Sequence, residues 1–370
     1  MTAHSTASGT SSPNAQCAVP LRAAREASSW QRVRVRRWFM TLGILGVLTG
    51  TVMLLALRFG AHEVTWAQLW SALSLSASDD MEVVRVILWD VRFPRVIMGL
   101  FVGAALAITG AVLQALVRNP LADPYVLGIS SGAALGVTIG LGMGLSTIFS
   151  GIGLQVCAFI GGGLSIVLVY GIAISQGALS VHTLLLAGVI LNAFCSALMM
   201  FTTSILNPSA LYRVVVWLMG NLSAPSHTAL ATIGVFVLAT IAWLLANSHA
   251  LNLLALGEDA ARSMGVESDR LHRAVFIVSA LLTGVVVSLC GMIGFIGMVV
   301  PHLIRIVCGA DHRLLLPASA LAGGMLLILS DTIARTVVAP AEIPVGVVTA
   351  LIGGPFFLYL LMTRKYRFST

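Results

Sequence analysis

A protein that hydrolyses a nucleotide grips the phosphates with the lysine of a G-x-x-x-x-G-K-[S/T] loop, because that side chain must reach them. This 370-residue sequence has one lysine, Lys365, placed after Thr363 in the C-terminal tail, so it cannot contain that loop. Any ATP hydrolysis that drives the protein belongs to another polypeptide. A second catalytic pattern matches literally: Gly128-Ile129-Ser130-Ser131-Gly132 reads G-x-S-x-G. A nucleophile elbow needs a strand before it, a helix after it, and an Asp and a His brought to the serine. Here the pattern follows a proline-containing turn and opens an apolar run, so its small residues are expected to serve close helix packing. The eight histidines show no H-E-x-x-H or paired spacing, and the five cysteines form no C-x-x-C. No metal site and no cofactor is expected. His302, inside an apolar run, is expected in the interior; His312, between Asp311 and Arg313, is expected to face water.

The elements that must position these residues follow from composition. Hydrophobic residues make up 58% of the chain and charged residues 9%, and mean hydropathy is +0.97. A soluble domain carries about 25% charged residues. The solvent around most of this chain must be lipid. The fold class expected is an all-α integral membrane protein of about ten transmembrane helices, with short or re-entrant segments. Apolar runs fall at 38–59, 83–116, 131–147, 152–175, 183–206, 227–247, 272–293, 296–309, 314–338 and 343–363. The run at 83–116 is longer than a bilayer needs, and the run at 296–309 is too short to span alone. The first run is too long for the core of a secretory signal and is expected to be retained.

The net charge of +7 sits at the flanks. Arg22, Arg25, Arg32, Arg34, Arg36 and Arg37 precede the first apolar run; Arg364, Lys365 and Arg367 follow the last. Excess Lys and Arg marks the cytoplasmic side, so both termini are expected there, which requires an even number of spans. Nucleic acid as a partner is excluded, since no folded basic surface exists. Residues 1–37 read as a disordered cytoplasmic tail, 38–365 as the transmembrane domain and 366–370 as a short cytoplasmic tail.

This topology gives the remaining charges meaning. An ion-coupled carrier, the alternative class, needs acids at mid-bilayer depth. The acids sit mostly in loops or near run ends; Asp331 is the one candidate well within a run, and Arg335 stands four residues on, which favours a local ion pair over a proton relay. Arg92 and Arg95, in Arg92-Phe93-Pro94-Arg95, and Arg335 fall at extracytoplasmic run ends, against the positive-inside bias. Two accounts stand: snorkelling to the interface, or exposed rim charges that steer a partner bearing carboxylates. A polar island from Ala255 to Arg273 falls on the cytoplasmic side. Ala260, Ala261, Met264 and Val266 give it a partly apolar face at helical spacing, as in a short surface helix that docks a soluble partner. Gly99 and Gly103 form G-x-x-x-G, expected to pack helices within the chain.

The ordered blocks R-F-P-R (Arg92–Arg95), G-A-A-L-A-I-T-G-A-V-L-Q (Gly103–Gln114), R-N-P-L-A-D-P (Arg118–Pro124), L-G-I-S-S-G-A-A-L-G (Leu127–Gly136), L-L-L-A-G-V-I-L-N (Leu184–Asn192), W-L-M-G-N-L (Trp217–Leu222), G-F-I-G-M-V-V-P-H-L-I-R (Gly294–Arg305), G-A-D-H-R-L-L-L-P (Gly309–Pro317), D-T-I-A-R (Asp331–Arg335) and E-I-P-V-G-V-V-T-A-L-I-G-G-P-F-F (Glu342–Phe357) are telling together. With them, about residues 40–365 resemble the permease subunits of the iron-chelate (siderophore), haem and cobalamin uptake family of ABC importers. The resemblance implies a type II importer subunit of the inner membrane that translocates a metal chelate by alternating access. It implies a homodimer with the path along its axis, two ATPase subunits on the cytoplasmic side, and a periplasmic binding protein. By motif, Arg92, Arg95 and Arg335 match the arginines that meet carboxylates of the binding protein. Gly257, Glu258, Asp259, Arg262, Met264 and Gly265 match the segment that couples to the ATPase. Val181 and His182 match the cytoplasmic gate, where the family often has small hydroxyl residues. By position, the fifth-span face with Asn192, Cys195, Ser196, Met199 and Met200 is expected to line the path.

Overall fold

The computed structural model describes residues 15–60, 62, 64–73, 82–146, 152–175 and 181–363. The described residues form helices, turns and irregular backbone, with no strand among them. In chain order the helices are α1 (Ala15–Arg58), α2 (Trp66–Leu73), α3 (Glu82–Val86), a π-helical turn (Ile87–Arg92) and α4 (Phe93–Val117). A 3₁₀ turn (Pro124–Leu127) leads to α5 (Ile129–Gly142), α6 (Gly153–Ile174), α7 (Val181–Ser204), α8 (Pro208–Leu218) and α9 (His227–Ala246). Then come α10 (Ser248–Leu256), α11 (Glu258–Ser263), α12 (Ser268–Cys290), α13 (Ile296–Cys308), α14 (His312–Thr336) and α15 (Val345–Thr363). Contacts divide the chain into Met1–Ile44 and Leu45–Thr370, and the site lies in the second unit.

Among the described residues, seven helices are long and apolar enough to cross a membrane, and three shorter apolar helices, Ile129–Gly142, Ile296–Cys308 and Val345–Tyr359, accompany them. Each of the ten apolar runs read from the sequence falls on one of these. Of the tail expected to be disordered, residues 1–14 lie outside the described residues, as do 364–370 at the other end. From Ala15 the backbone is helical and continuous with the first span. Ala23-Ala24-Arg25-Glu26-Ala27 favours helix by propensity, although it has no apolar stripe to bury.

The long apolar run is one helix, Glu82–Val117, interrupted by the π turn at Ile87–Arg92. It is the central helix: 83% of its most apolar window is buried, against 22% for α9. It packs along α14 backbone to backbone. A methyl group on Gly103 would collide with the Gly323 carbonyl, and one on Gly323 with the Gly103 carbonyl. The G-x-x-x-G pattern therefore brings two helices of one chain together, where close approach gains dispersion contact and no apolar desolvation is needed.

The short α13 would cover about 20 Å at 1.5 Å per residue, less than the roughly 30 Å hydrocarbon core. It begins after an irregular stretch, Gly291–Phe295, in which Phe295 adopts φ 69°. Unwound backbone at such a depth must find partners inside the protein. The Tyr125 hydroxyl supplies them, accepting from Ile293 N and donating to Ile293 O, both at 2.9 Å. Asn221 N donates to Cys290 O at 2.8 Å on the other side.

Candidate functional site

One end of the α4–α14 pair carries three of the arginines singled out by sequence. Pro94 sits in the first turn of α4, where its missing N–H is no loss, and Arg95 follows it. Arg95 Nη2 lies 2.9 Å and its Nε 3.0 Å from Asp331 Oδ1, and Nη1 lies 2.9 Å from Glu342 Oε2. Arg335 Nε lies 3.0 Å from Asp331 Oδ2, the ion pair that the four-residue spacing implied. Arg335 also donates to Ala56 O. Arg92 donates to the carbonyls of Leu57, Arg58 and His62. Arg92 and Arg335 thus close the C-terminal turn of α1, where free carbonyls and the helix dipole favour cations.

These arginines are not exposed rim charges. Arg92, Arg95 and Arg335 are 4%, 8% and 5% exposed, and Asp331 is 2% exposed. The expectation of exposure or snorkelling is corrected: each guanidinium has carboxylate or carbonyl partners inside the protein, which outbid water for a planar, five-donor group. The one open member is Glu342, whose side chain is 46% exposed. Sequence reasoning did not single it out, because its partner lies 247 residues away.

Beside the irregular stretch before α13 lies an open cavity of about 680 Å³, lined by α5, α7, α15 and the segments around Met219 and Met292. Among the described residues no charged side chain lines it. Of the α7 residues named for the path, Asn192, Ser196 and Met199 face this cavity, and Cys195 and Met200 do not. Cys195 is buried toward α5 and α6, beside an apolar groove, and Met200 is 70% exposed. The helical period sorts them: positions 192, 196 and 199 fall on one stripe, with 195 and 200 at its two margins. Asn192 Oδ1 accepts from the Ser131 hydroxyl at 2.6 Å. Ser130 is 5% exposed and its hydroxyl has no hydrogen-bond partner among the described residues. The G-x-S-x-G pattern thus opens α5 after a 3₁₀ turn, and Gly132 meets Gly161 and Ser165 of α6. Tyr125, Met219, Met292 and Phe295 also line it; they stand in a 3₁₀ turn, at a helix cap and in the irregular stretch before α13, where no helical period shows which way a residue faces.

Asp123 caps the 3₁₀ turn, accepting from Tyr125 N at 2.8 Å. Burial pushes its carboxyl up to about 6, against the pull of that N–H bond. Burial also pushes the Tyr125 phenol up, so it stays a neutral donor and acceptor for Ile293.

The polar island forms α11 between two glycines with positive φ, Gly257 at 129° and Gly265 at 83°. Ala261 is fully buried while Met264 and Leu256 are 51% and 72% exposed. Asp259 and Arg262 face solvent; the side chain of Glu258 lies outside what is described. Arg262 pairs with Asp269 at 3.0 Å and bonds Ser268 at 2.8 Å, which ties α11 to the start of α12. Arg262, Glu267 and Arg273 line a polar cleft of about 510 Å³ there. His182 is exposed at the start of α7; residues 176–180 and the Val181 side chain lie outside the described residues. His302 is buried, as expected. His312, expected to face water, is 3% exposed and bonded to Asn252.

Comparison with known proteins fits this geometry. The chain is 40% identical to the hemin transport system permease protein HmuU of Yersinia pestis over 88% of this chain and 96% of that one. It is 42% identical to the cobalamin import system permease protein BtuC of Halobacterium salinarum over 80% of each. A solved metal-chelate type ABC transporter in an inward-facing conformation superposes with a TM-score of 0.75 at 32% identity, covering 88% of this chain and all of that one. A chain of PsaBC from Streptococcus pneumoniae, at 17% identity and a TM-score of 0.55, covers 76% of this chain and 95% of that one and shares the fold. The model of the FecCD transport family matches residues 48–363, and the chain belongs to that family, as a multi-pass membrane permease of an ABC importer whose ATP hydrolysis resides in a separate partner subunit.

Proposed function

We propose that this permease translocates a metal chelate, an iron-siderophore, haem or a cobalamin, through the path to which the cavity beside α7 and α15 belongs. The observation that carries the reading is that cavity: about 680 Å³, open, apolar, with Ser131 and Asn192 as its polar patch. Its volume lies in the range that holds a whole organic ligand. Two copies of the chain, paired about a common axis, would set two such cavities face to face. The relatives named for hemin and cobalamin support this substrate class.

In the same reading both termini lie in the cytoplasm of an inner-membrane protein, and α11 lies on that side against an ATPase subunit. The exposed Met264 and Asp259 suit such a contact. Val181 and His182 form the gate at the cytoplasmic mouth. Arg92, Arg95 and Arg335, at the far end of α14, receive carboxylates of the binding protein. Because these arginines are buried and bonded, docking there proceeds by exchange, with an incoming carboxylate taking the place of Glu342 on Arg95.

Uptake by a deletion strain fed each chelate class tests the substrate. Growth or uptake that depends on this gene for one of the three is expected. If none of the three depends on it, the substrate reading is wrong. Charge reversal at Arg95 is expected to abolish capture of the binding protein by the reconstituted permease; full capture would remove the docking role.

A further inference from the structure

Asn252 of α10 stands five residues before Gly257, where α11 begins, and it bonds the turn between α13 and α14 three times. Its Nδ2 donates to Asp311 Oδ1 at 2.8 Å. Its Oδ1 accepts from His312 N at 2.8 Å and lies 2.7 Å from His312 Nδ1. An amide oxygen carries no proton, so His312 must hold one on Nδ1 to complete the second bond. Asp311 at the same time caps α14 by accepting from Arg313 N at 3.1 Å. One amide therefore grips both the cap and the first residue of α14.

Leucines of α10 add apolar contact beside these bonds. Leu251 and Leu254 are 0% and 1% exposed, on a helix packed against α4 and α14. Apolar contacts permit sliding, because dispersion has little direction. Hydrogen bonds at these distances, one of them to a carboxylate, do not tolerate it. From His312 to Asp331, α14 runs about 28 Å as one helix, and Asp331 holds Arg335 and Arg95.

We propose that Asn252, through its grip on Asp311 and His312, is the positioning residue that passes displacement of α11 to α14, and so to the arginine cluster at the other end of that helix. The inference rests on the reading of α11 as the ATPase contact. It adds a specific residue pair, with both partners named, to the coupling step.

The test uses the whole complex, permease with its ATPase and binding protein, in proteoliposomes. Substrate moved per ATP hydrolysed, basal ATPase and melting temperature are recorded together. For Asn252→Ala, transport per ATP is expected to fall about tenfold, with basal ATPase near that of the parent and a lower melting temperature, since three hydrogen bonds are lost. Asn252→Asp, which sets a carboxylate against Asp311, should lose coupling too. The swap N252D/D311N restores the bond between positions 252 and 311 with donor and acceptor exchanged and keeps an acceptor for His312, while the cap to Arg313 N is given up, and it should restore coupling. Should Asn252→Ala not assemble, the comparison of N252D with the swap decides alone. Unchanged coupling in N252A or N252D, or a swap that restores the melting temperature without the coupling, overturns the proposal. A failure of the underlying reading shows separately: Met264→Glu should release the ATPase, and if the ATPase stays bound, α11 is not its contact, whatever Asn252 does.

Discussion

The two ends of α14 hold similar charged residues in opposite ways. At its C-terminal end Asp331, Arg95 and Arg335 are buried and bonded to one another. Beyond its N-terminal end, around α11, Arg262 pairs with Asp269 and Arg270 with Glu267, with more than half of each side chain exposed. Ionised groups taken out of water must be paired, and removing one partner strands the others. Exposed pairs gain little and give way easily. The first end therefore holds α1, α4 and α14 together and offers a partner only the bond of the exposed Glu342, while the pairs of the second give way readily to one.

Four substitutions would break or sharpen this contrast. The largest effect is expected from Asp331→Ala, which strands two buried guanidinium groups and should cost about 3–5 kcal/mol. It is read as a fall in melting temperature in detergent; a variant that melts with the parent would show that water reaches the cluster. Tyr125→Phe removes both bonds to Ile293 and should cost about 1–3 kcal/mol, with a loss of transport, since the unwound stretch lines the cavity. Unaltered stability and transport would mean that the stretch needs no brace.

Asp123→Asn separates burial from pairing, since Asp123 is held by a backbone N–H and by no guanidinium among the described residues. Its carboxyl is raised above the ordinary value to about 6. A raised acid favours the folded state while protonated, so that contribution is full below the unfolded value of about 3.9 and is lost as pH rises through the folded one. The asparagine keeps the acceptor and does not titrate. Its melting temperature relative to the parent should therefore rise between pH 5 and pH 8; a constant difference would place the carboxyl in water. The smallest effect is expected at Arg262→Ala, where the lost exposed pair is worth at most about 1 kcal/mol. A large loss of stability there would erase the distinction between the ends.

Much of this was legible before any coordinates. The ten apolar runs, the local Asp331–Arg335 pair, the α11 segment and the match of Gly103 to close packing all follow from neighbours within one helix. The burial of the arginines is not legible in sequence, because Arg95 finds Asp331 and Glu342 more than 200 residues away. The burial of His312 is hidden for the same reason: its partner Asn252 lies 60 residues earlier. Cys195 and Met200 were grouped with Asn192 because adjacency in sequence does not fix which margin of a helix faces a cavity.

The sequence by itself determined the solvent, the class and the energy source. Nine per cent charge cannot cover a water-facing surface, and one tail lysine cannot grip a phosphate. Hydropathy and residue type are local properties, additive along the chain, and need no fold to be read. Only the tertiary structure decided which charges are committed and which are free, and which side chains line the cavity. Those depend on distance between residues far apart in sequence, and a buried charge declares itself only through the partner that the fold delivers.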